Sequence, residues 1–424
     1  MSTARSAGDD APAAEIAAAL RDAPFVRVAA RADGDSLAAS GILARALRDV
    51  RVPFHVRASP EDVSIPGGDA AGVDLVVGSS PAVGADGRLD GDGSDGGDED
   101  DGDDRGPKRV AAGASRPASV VAFEIARELG TDPDPALGLA GVVASGGTVD
   151  GDGSAPILDA ADRAGVVERR PGVAVPTADV ADGVAHTTLV HAPVSGQPER
   201  VRAALAELGL PAELDEDAHR RIASLVAVEA TAVEDATPRA SEAIERALRP
   251  HATPDGPFET VGGYADVLDA VARERPGVGV ALALGHDAEG TNASVRTAAL
   301  DAWRDHARAA HAALRGATTA RYDGVFVARP PADAPPSALG TVARLLRDFR
   351  SPEPVALVVV DGAAAAASVE PLDLGAVVAT AVERLAESGV GTKPTAVGNG
   401  TATRGDARFD GTAEEFVAAF REAL

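Results

Sequence analysis

The chain has 424 residues, 45% hydrophobic and 3% aromatic, with 66 acidic against 40 basic side chains and a formal net charge of −26. That is more chain than one core usually serves, so two or three domains are expected. The absence of cysteine excludes disulfide scaffolds, thiolate zinc sites and cysteine nucleophiles, and the few aromatics leave little for stacking single-stranded bases.

Lys108 and Lys393 are the only lysines. Self-repulsion at this charge destabilises a compact state in dilute buffer, and molar salt screens it within about 3 Å. A KCl-rich cytoplasm is the simplest explanation, so the charge reports the solvent more than the partners. The opening MSTARSAGDD has neither a basic nor an apolar leader segment. No run of about 20 apolar residues is present to cross a membrane. The chain reads as a soluble cytoplasmic protein.

In chain order, Phe25–Ala30 reads as a strand and Leu37–Val50 as a helix whose apolar face carries Ile42, Leu43, Ala46, Leu47 and Val50. Phe54–Arg57 and Val73–Val77 are further strands, and the alternation implies βαβ units with a parallel sheet. Ala85–Asp104 is almost entirely Asp, Glu and Gly and reads as a solvated loop; its spacing does not match an EF-hand. Arg116–Gly130 is a helix with Pro117 in its first turn and Gly130 as its stop. Ala136–Gly147 is a small-residue helix ending in Gly-Gly.

A β-like stretch near His186–His191 precedes helical patterns over Val201–Leu208, Ala218–Val226 and Ala240–Leu248. Gly277–Leu284, "GVGVALAL", reads as a strand, and Val295–Leu314 as a long helix with the single tryptophan, Trp303. The last part is α/β again: strand "GVFVAR", helix Leu339–Phe349, strand "PVALVVV", helix Leu374–Ser388, the Gly-rich "GVGTKPTAVGNG" and a final helix Ala413–Leu424. The expected units are 1–195, α/β; 196–318, mostly helical; and 319–424, α/β.

The stretch Asp33-Gly34-Asp35-Ser36 sits at the carboxyl end of the first strand, the edge where open α/β sheets bind ligands. Its carboxylates are candidate metal ligands; equally, the stretch is a Gly turn with Asp35 or Ser36 capping the helix. "GVGTKPTAVGNG" can cradle an anion through backbone N–H groups, which makes Gly389, Gly391, Thr392 and Lys393 candidate phosphate binders. The alternative is a plain Gly-rich turn. Arg344, Arg347 and Arg350 read as a solvated helix face rather than a phosphate track. The eight histidines are scattered, without the i, i+4 spacing of a helical metal pair.

Several stretches, in order, resemble the DHH phosphoesterase superfamily and its archaeal RecJ-like branch. "RADGDS" resembles its first motif and "SRPASVVAFEIARELG" the helix after the signature Asp-His-His. "LGLAGVVASGG" resembles the next apolar helix, and "HTTLVHAPVSGQPERVRAALAELGLP" the bridge to the second half. "LGTVARLLRDFRSPEPVALVVVDG" resembles the DHH-associated domain, where "GVGTKPTAVG" falls at a Gly-Gly-Gly-His position. The resemblance implies a parallel-sheet DHH-like α/β domain, a mostly helical middle region and a smaller C-terminal α/β DHH-associated domain.

It also implies a two-metal, usually manganese, phosphodiester hydrolase, and there the chain departs from the pattern. Ala29 and Ala30 stand near the motif-one His, Gly78, Ser79 and Ser80 where a strand should end in Asp, Ala144 and Ser145 near the motif-four Asp, and Thr392 at the substrate-binding His. No His lies between Pro81 and Arg116. Asp33 and Asp35 are then residual ligands for at most weakly bound Mn or Mg, too few for a two-metal mechanism. The expectation is a catalytically degenerate RecJ-like protein of DNA replication or repair, acting as a binding or scaffold subunit. By the resemblance its partners are single-stranded nucleic acid and replication proteins of the GINS and helicase type. The alternative is an active metal-dependent single-strand exonuclease or small phosphodiesterase.

Overall fold

The computed structural model describes residues 13–59, 72–78, 108–110, 116–151, 153–211, 213–231, 237–285, 293–387 and 397–424. The first unit runs α1 (Ala13–Arg21), β1 (Val26–Arg31), α2 (Gly34–Asp49), β2 (Phe54–Ser59), β3 (Val73–Val77), β4 (Lys108–Val110), α3 (Ala118–Glu128), α4 (Pro135–Ser145) and α5 (Ala155–Ala164). Its strands form an all-parallel sheet in the order β2-β1-β3-β4. Val26, Val28 and Ala30 of β1 and Leu75 and Val77 of β3 share a core with Leu37, Ile42, Leu43 and Leu47 of α2. This is the parallel α/β arrangement expected from the alternating pattern. The acidic stretch 85–104 lies outside the described residues.

The middle of the chain is mostly helical: β5 (Glu168–Arg169), α6 (Val180–His186), α7 (Pro198–Glu207), α8 (Glu216–Thr231), α9 (Pro238–Ala247), β6 (His251–Ala252), α10 (Val261–Glu274), α11 (Pro276–Ala283) and α12 (Ala293–Gly316). The cores do not follow the linear units. Val267, Leu268 and Val271 of α10 and Trp303 of α12 are buried in the first core with α2 and α4.

Two expectations are corrected here. Gly277–Leu284 is not a strand but the body of α11. Gly279 serves close helix packing: a Cβ on it would stand 2.5 Å from Leu37 Cδ1, and one on Gly41 of α2 2.5 Å from Ala283 O. The His186–His191 stretch is not a strand either. His186 ends α6, and the Thr188 N–H donates to Asp266 Oδ2 at 2.9 Å instead of to a neighbouring strand.

The C-terminal unit contains β7 (Thr318–Tyr322), β8 (Val325–Arg329), α13 (Leu339–Phe349), β9 (Val355–Val360), β10 (Ala363–Ser368), α14 (Leu374–Glu387), β11 (Val397–Gly400), β12 (Arg404–Arg408) and α15 (Ala413–Ala423). The sheet order is β11-β12-β10-β9-β8-β7, with β8 and β9 parallel and the other pairs antiparallel. Every residue of β10, "AAAAAS", is buried. One face of this sheet packs on α13 and the middle helices, and the other on α14 and α15. The molecule is thus a mixed α/β protein with a parallel sheet, a helical middle and a C-terminal sheet unit.

Candidate functional site: the carboxyl edge of the first sheet

The chain leaves β1 at Arg31 and enters α2 at Gly34, so Asp33 falls at the helix N-cap. Its φ of −137° and ψ of 164° are extended, and its Oδ1 accepts from the Ser36 N–H at 2.8 Å. This satisfies one of the free donors of the first turn. Asp35 points the other way, into the protein, and is 4% exposed. Its Oδ2 accepts from the Ala118 N–H at 2.7 Å and its Oδ1 from the Ser119 N–H at 3.0 Å. It therefore caps α3, a helix more than 80 residues away that begins at Pro117 without a side-chain cap of its own. Burial, and then the neighbouring Asp33 carboxylate, push the Asp35 carboxyl up to about 6, against the pull of the Ser119 and Ala118 donors.

The described neighbours of Asp33 and Asp35 at this edge include small residues. Gly78 ends β3 with φ +81°, and a Cβ there would collide with Ser36 Oγ. Ala144 of α4 lies against Gly34, where a Cβ would stand 2.7 Å from Ala144 Cβ. Ser79 and Ser80 lie outside the described residues. A two-metal centre needs several carboxylates or imidazoles with free lone pairs converging on shared ions. Here Asp35 is committed to two N–H donors, Asp33 to a third, and the adjoining positions offer methyl and hydrogen. Among the described residues, the donor set does not fit two metal ions. Among the described residues, no group of three or more His, Asp or Glu side chains is arranged to hold a metal.

What converges on this edge is arginine. Arg31 of β1 reaches across to the C-terminal unit, where Nη2 meets Asp406 Oδ2 of β12 at 2.9 Å, while Nε lies 3.6 Å from Asp33 Oδ2. Asp269 and Arg273, one turn apart on α10, pair at 3.3 Å and are each 14% exposed. Burial opposes ionisation of Asp269, but Arg273, Arg404, Arg344 and His306 together hold its carboxyl far below the usual range. Arg344 of α13 donates to Thr188 Oγ1 at 2.8 Å. Arg404 opens β12 and lines the same narrow pocket as Asp269, Arg273, Gly340, Arg344, Ala366, Gly405 and Asp406.

The reading of Arg344, Arg347 and Arg350 as a solvated face is therefore corrected. Arg344 turns into the pocket, Arg347 pairs with Asp348 at 2.7 Å, and Arg350 donates to Leu314 O at 3.1 Å. Arg31, Asp269, Arg273, Arg404 and Asp406 were not apparent as site residues. Only the i, i+4 Asp269/Arg273 pair carries a local signal; the others meet through tertiary folding. Gly389, Gly391, Thr392 and Lys393 lie outside the described residues.

His191, His311 and His306 are held in the fold by hydrogen bonds. His191 and His311, 120 residues apart, bring their Nδ1 atoms to 3.0 Å, and His311 Nε2 lies 3.0 Å from Thr187 O. Burial lowers both, His311 to about 3, so the pair is neutral and shares one hydrogen bond. His306 bridges Glu274 Oε1 and Thr341 Oγ1, each at 2.8 Å.

Residues 317–422 match the family model described as "Uncharacterized protein rrnAC1427, C-terminal domain". The full-length protein of that name from Haloarcula marismortui is 45% identical over 412 residues, covering 97% of this chain and 96% of the relative. Among solved structures, CDC45 from Entamoeba histolytica superposes with a TM-score of 0.52 at 9% identity, covering 97% of this chain and 98% of the other. Exonuclease RecJ bound to manganese gives 0.49 at 17% identity, covering 98% and 94%. The likeness to CDC45 extends over nearly the whole of both chains and is one of fold.

Proposed function

We propose that this chain, which belongs to the family of the Haloarcula marismortui protein rrnAC1427, is a RecJ-like, nucleic-acid-associated protein of DNA replication or repair whose phosphoesterase centre is lost and which serves as a binding or scaffold subunit. The observation that carries this reading is the employment of Asp35. A carboxylate at the position of a metal ligand is buried beneath two backbone N–H groups and holds α3 in place. The salt bridge from Arg31 to Asp406 supports the same reading, because it brings a guanidinium to the edge where a hydrolase would concentrate carboxylates.

The whole-length likeness in fold to CDC45 is consistent with a scaffold. The partners this reading names are replication proteins of the GINS and helicase type, with single-stranded nucleic acid as a further ligand. Phosphate contacts contribute weakly in molar salt, so protein contacts would carry most of the affinity. Size-exclusion chromatography of the purified chain with purified GINS- and helicase-type proteins of the same cell, in molar KCl, tests it. Co-elution as a defined complex is expected. Separate elution at micromolar concentrations, together with no shift of a labelled single strand, would contradict it.

A further inference from the structure

The strand β7 is an open edge of the C-terminal sheet. It pairs with β8 on one side only, and its residues Thr318, Thr319, Ala320 and Arg321 are exposed. The two strands are joined by a two-residue turn, Asp323-Gly324, in which Gly324 takes φ +76°. A loop of that length closes on a hydrogen-bonded pair, here Tyr322 with Val325, and such pairs alternate with non-hydrogen-bonded ones along the ladder. The N–H and C=O groups of Tyr322, Ala320 and Thr318 therefore point to β8, and those of Thr319 and Arg321 point away from the sheet. Among the described residues, no backbone group pairs with the outward set.

Natural sheet edges are blunted by lysine, proline, a bulge or an inward-pointing charge. The sequence of β7, "TTARY", has neither lysine nor proline, and its register with β8 runs without a bulge over the whole strand. Its one charged side chain, Arg321, is 66% exposed and pairs with Glu353 at 2.5 Å. The strand carries no carboxylate in a chain with a net charge of −26, so two copies meet here with little of the repulsion that acts elsewhere.

We infer that β7 is the contact of a two-fold dimer, in which it pairs antiparallel with β7 of a second copy and the C-terminal sheet runs on across both. The outward groups fix the register. Thr319 forms a hydrogen-bonded pair with Arg321 of the second copy, Arg321 forms the symmetric pair with Thr319 of the second copy, and each pair exchanges both N–H···O bonds. Ala320 then meets Ala320 of the second copy on the two-fold axis. The pairing is self-complementary: methyl groups face each other at the axis, and each guanidinium faces a hydroxyl rather than a like charge. Molar salt screens the repulsion between two acidic copies within about 3 Å and leaves main-chain hydrogen bonds in place. The inference stands on β7 alone and does not rest on the scaffold reading.

Sedimentation equilibrium of the full chain in molar KCl tests it. A single strand pair is smaller than a standard interface, so a monomer–dimer equilibrium with a midpoint of about 10–100 μM is expected. Thr319→Pro removes an outward N–H without touching the ladder to β8, and is expected to weaken the dimer at least about tenfold. Thr319→Lys sets a cation opposite Arg321 of the second copy and should weaken it, whereas Thr319→Glu sets a carboxylate there and should strengthen it. These two variants serve where proline disturbs the strand. The chain has no cysteine, so Ala320→Cys introduces a single thiol. Its Cα would lie about 4.5 Å from its mate, within reach of a disulfide. Mild oxidation is expected to link Ala320→Cys into a covalent dimer far faster than Thr318→Cys, which faces Tyr322 of the second copy. A chain that stays monomeric up to about 1 mM, far past the expected midpoint, would overturn the assignment. So would a dimer that all three Thr319 variants leave unchanged. A monomer that instead loses a complex with another protein in Thr319→Pro would give the edge to that partner and overturn it as well.

Discussion

Replacing Asp35 by alanine strips the acceptor from two buried donors, Ala118 N and Ser119 N, at the start of α3. Loss of a helix cap costs about 0.5–2 kcal/mol, and two orphaned buried donors place this change at or beyond the upper end. Asp35→Ala is therefore expected to lose about 2 kcal/mol in urea unfolding, equally with and without manganese. A loss seen only with manganese would make Asp35 a ligand.

The pH dependence has a definite sign. The folded carboxyl lies near 6, above an unfolded value of about 3.9. The protonated form is thus favoured by folding: the contribution is fully present below about pH 4 and is lost as pH rises through about 6. Relative to Asp35→Asn, the wild type should weaken by about 2–3 kcal/mol across that window, measured as the difference between two urea-stability profiles. Asp182 acts oppositely. Despite burial, His186 and Arg304 hold it at about 2, so its contribution is lost only as pH falls towards that value. From residue types alone Asp35 or Ser36 was read as the cap of its own helix, a role that Asp33 takes instead. That Asp35 caps a helix 83 positions away was not legible, because a long-range hydrogen bond leaves no local pattern.

The elements that the pattern misread are those in which tertiary packing overrode local preference. "GVGVALAL" alternates like a strand, yet Gly279 marks where α11 touches α2, and Pro276 opens it as a helix. The alanine run of β10 has the composition of a helix, since alanine is a poor strand former. Pairing on both edges, with β9 and β12, and helices over both faces leave it a strand with room only for methyl groups. Strands such as β3 and β9 were legible because branched residues fill them. A glycine test follows. Gly41→Val would place Cβ 2.5 Å from Ala283 O and is expected to destabilise by about 1–3 kcal/mol or more through overpacking. Gly153→Ala meets nothing within 4 Å and should stay within about 0.5 kcal/mol. Equal thermal midpoints for the two variants would contradict the helical packing of α11 on α2.

At the scale of the whole molecule, the order of the α/β, helical and α/β parts was readable from periodicity and from the resemblance of successive stretches. The convergence of Arg31, Arg273, Arg344 and Arg404 was not, since these residues come from β1, α10, α13 and β12 and meet only when the C-terminal unit docks on the first sheet. That docking brings guanidinium groups and capped carboxylates to an edge where a RecJ-like hydrolase would assemble metal ions. Loss of catalysis with retention of the fold is the central claim. Its most direct test is manganese-dependent release of nucleotides from labelled single-stranded DNA and RNA in molar KCl, comparing the wild type with Asp33→Ala. The account predicts full-length strands and no difference between the two proteins. Manganese-dependent shortening by the wild type that Asp33→Ala abolishes would contradict it.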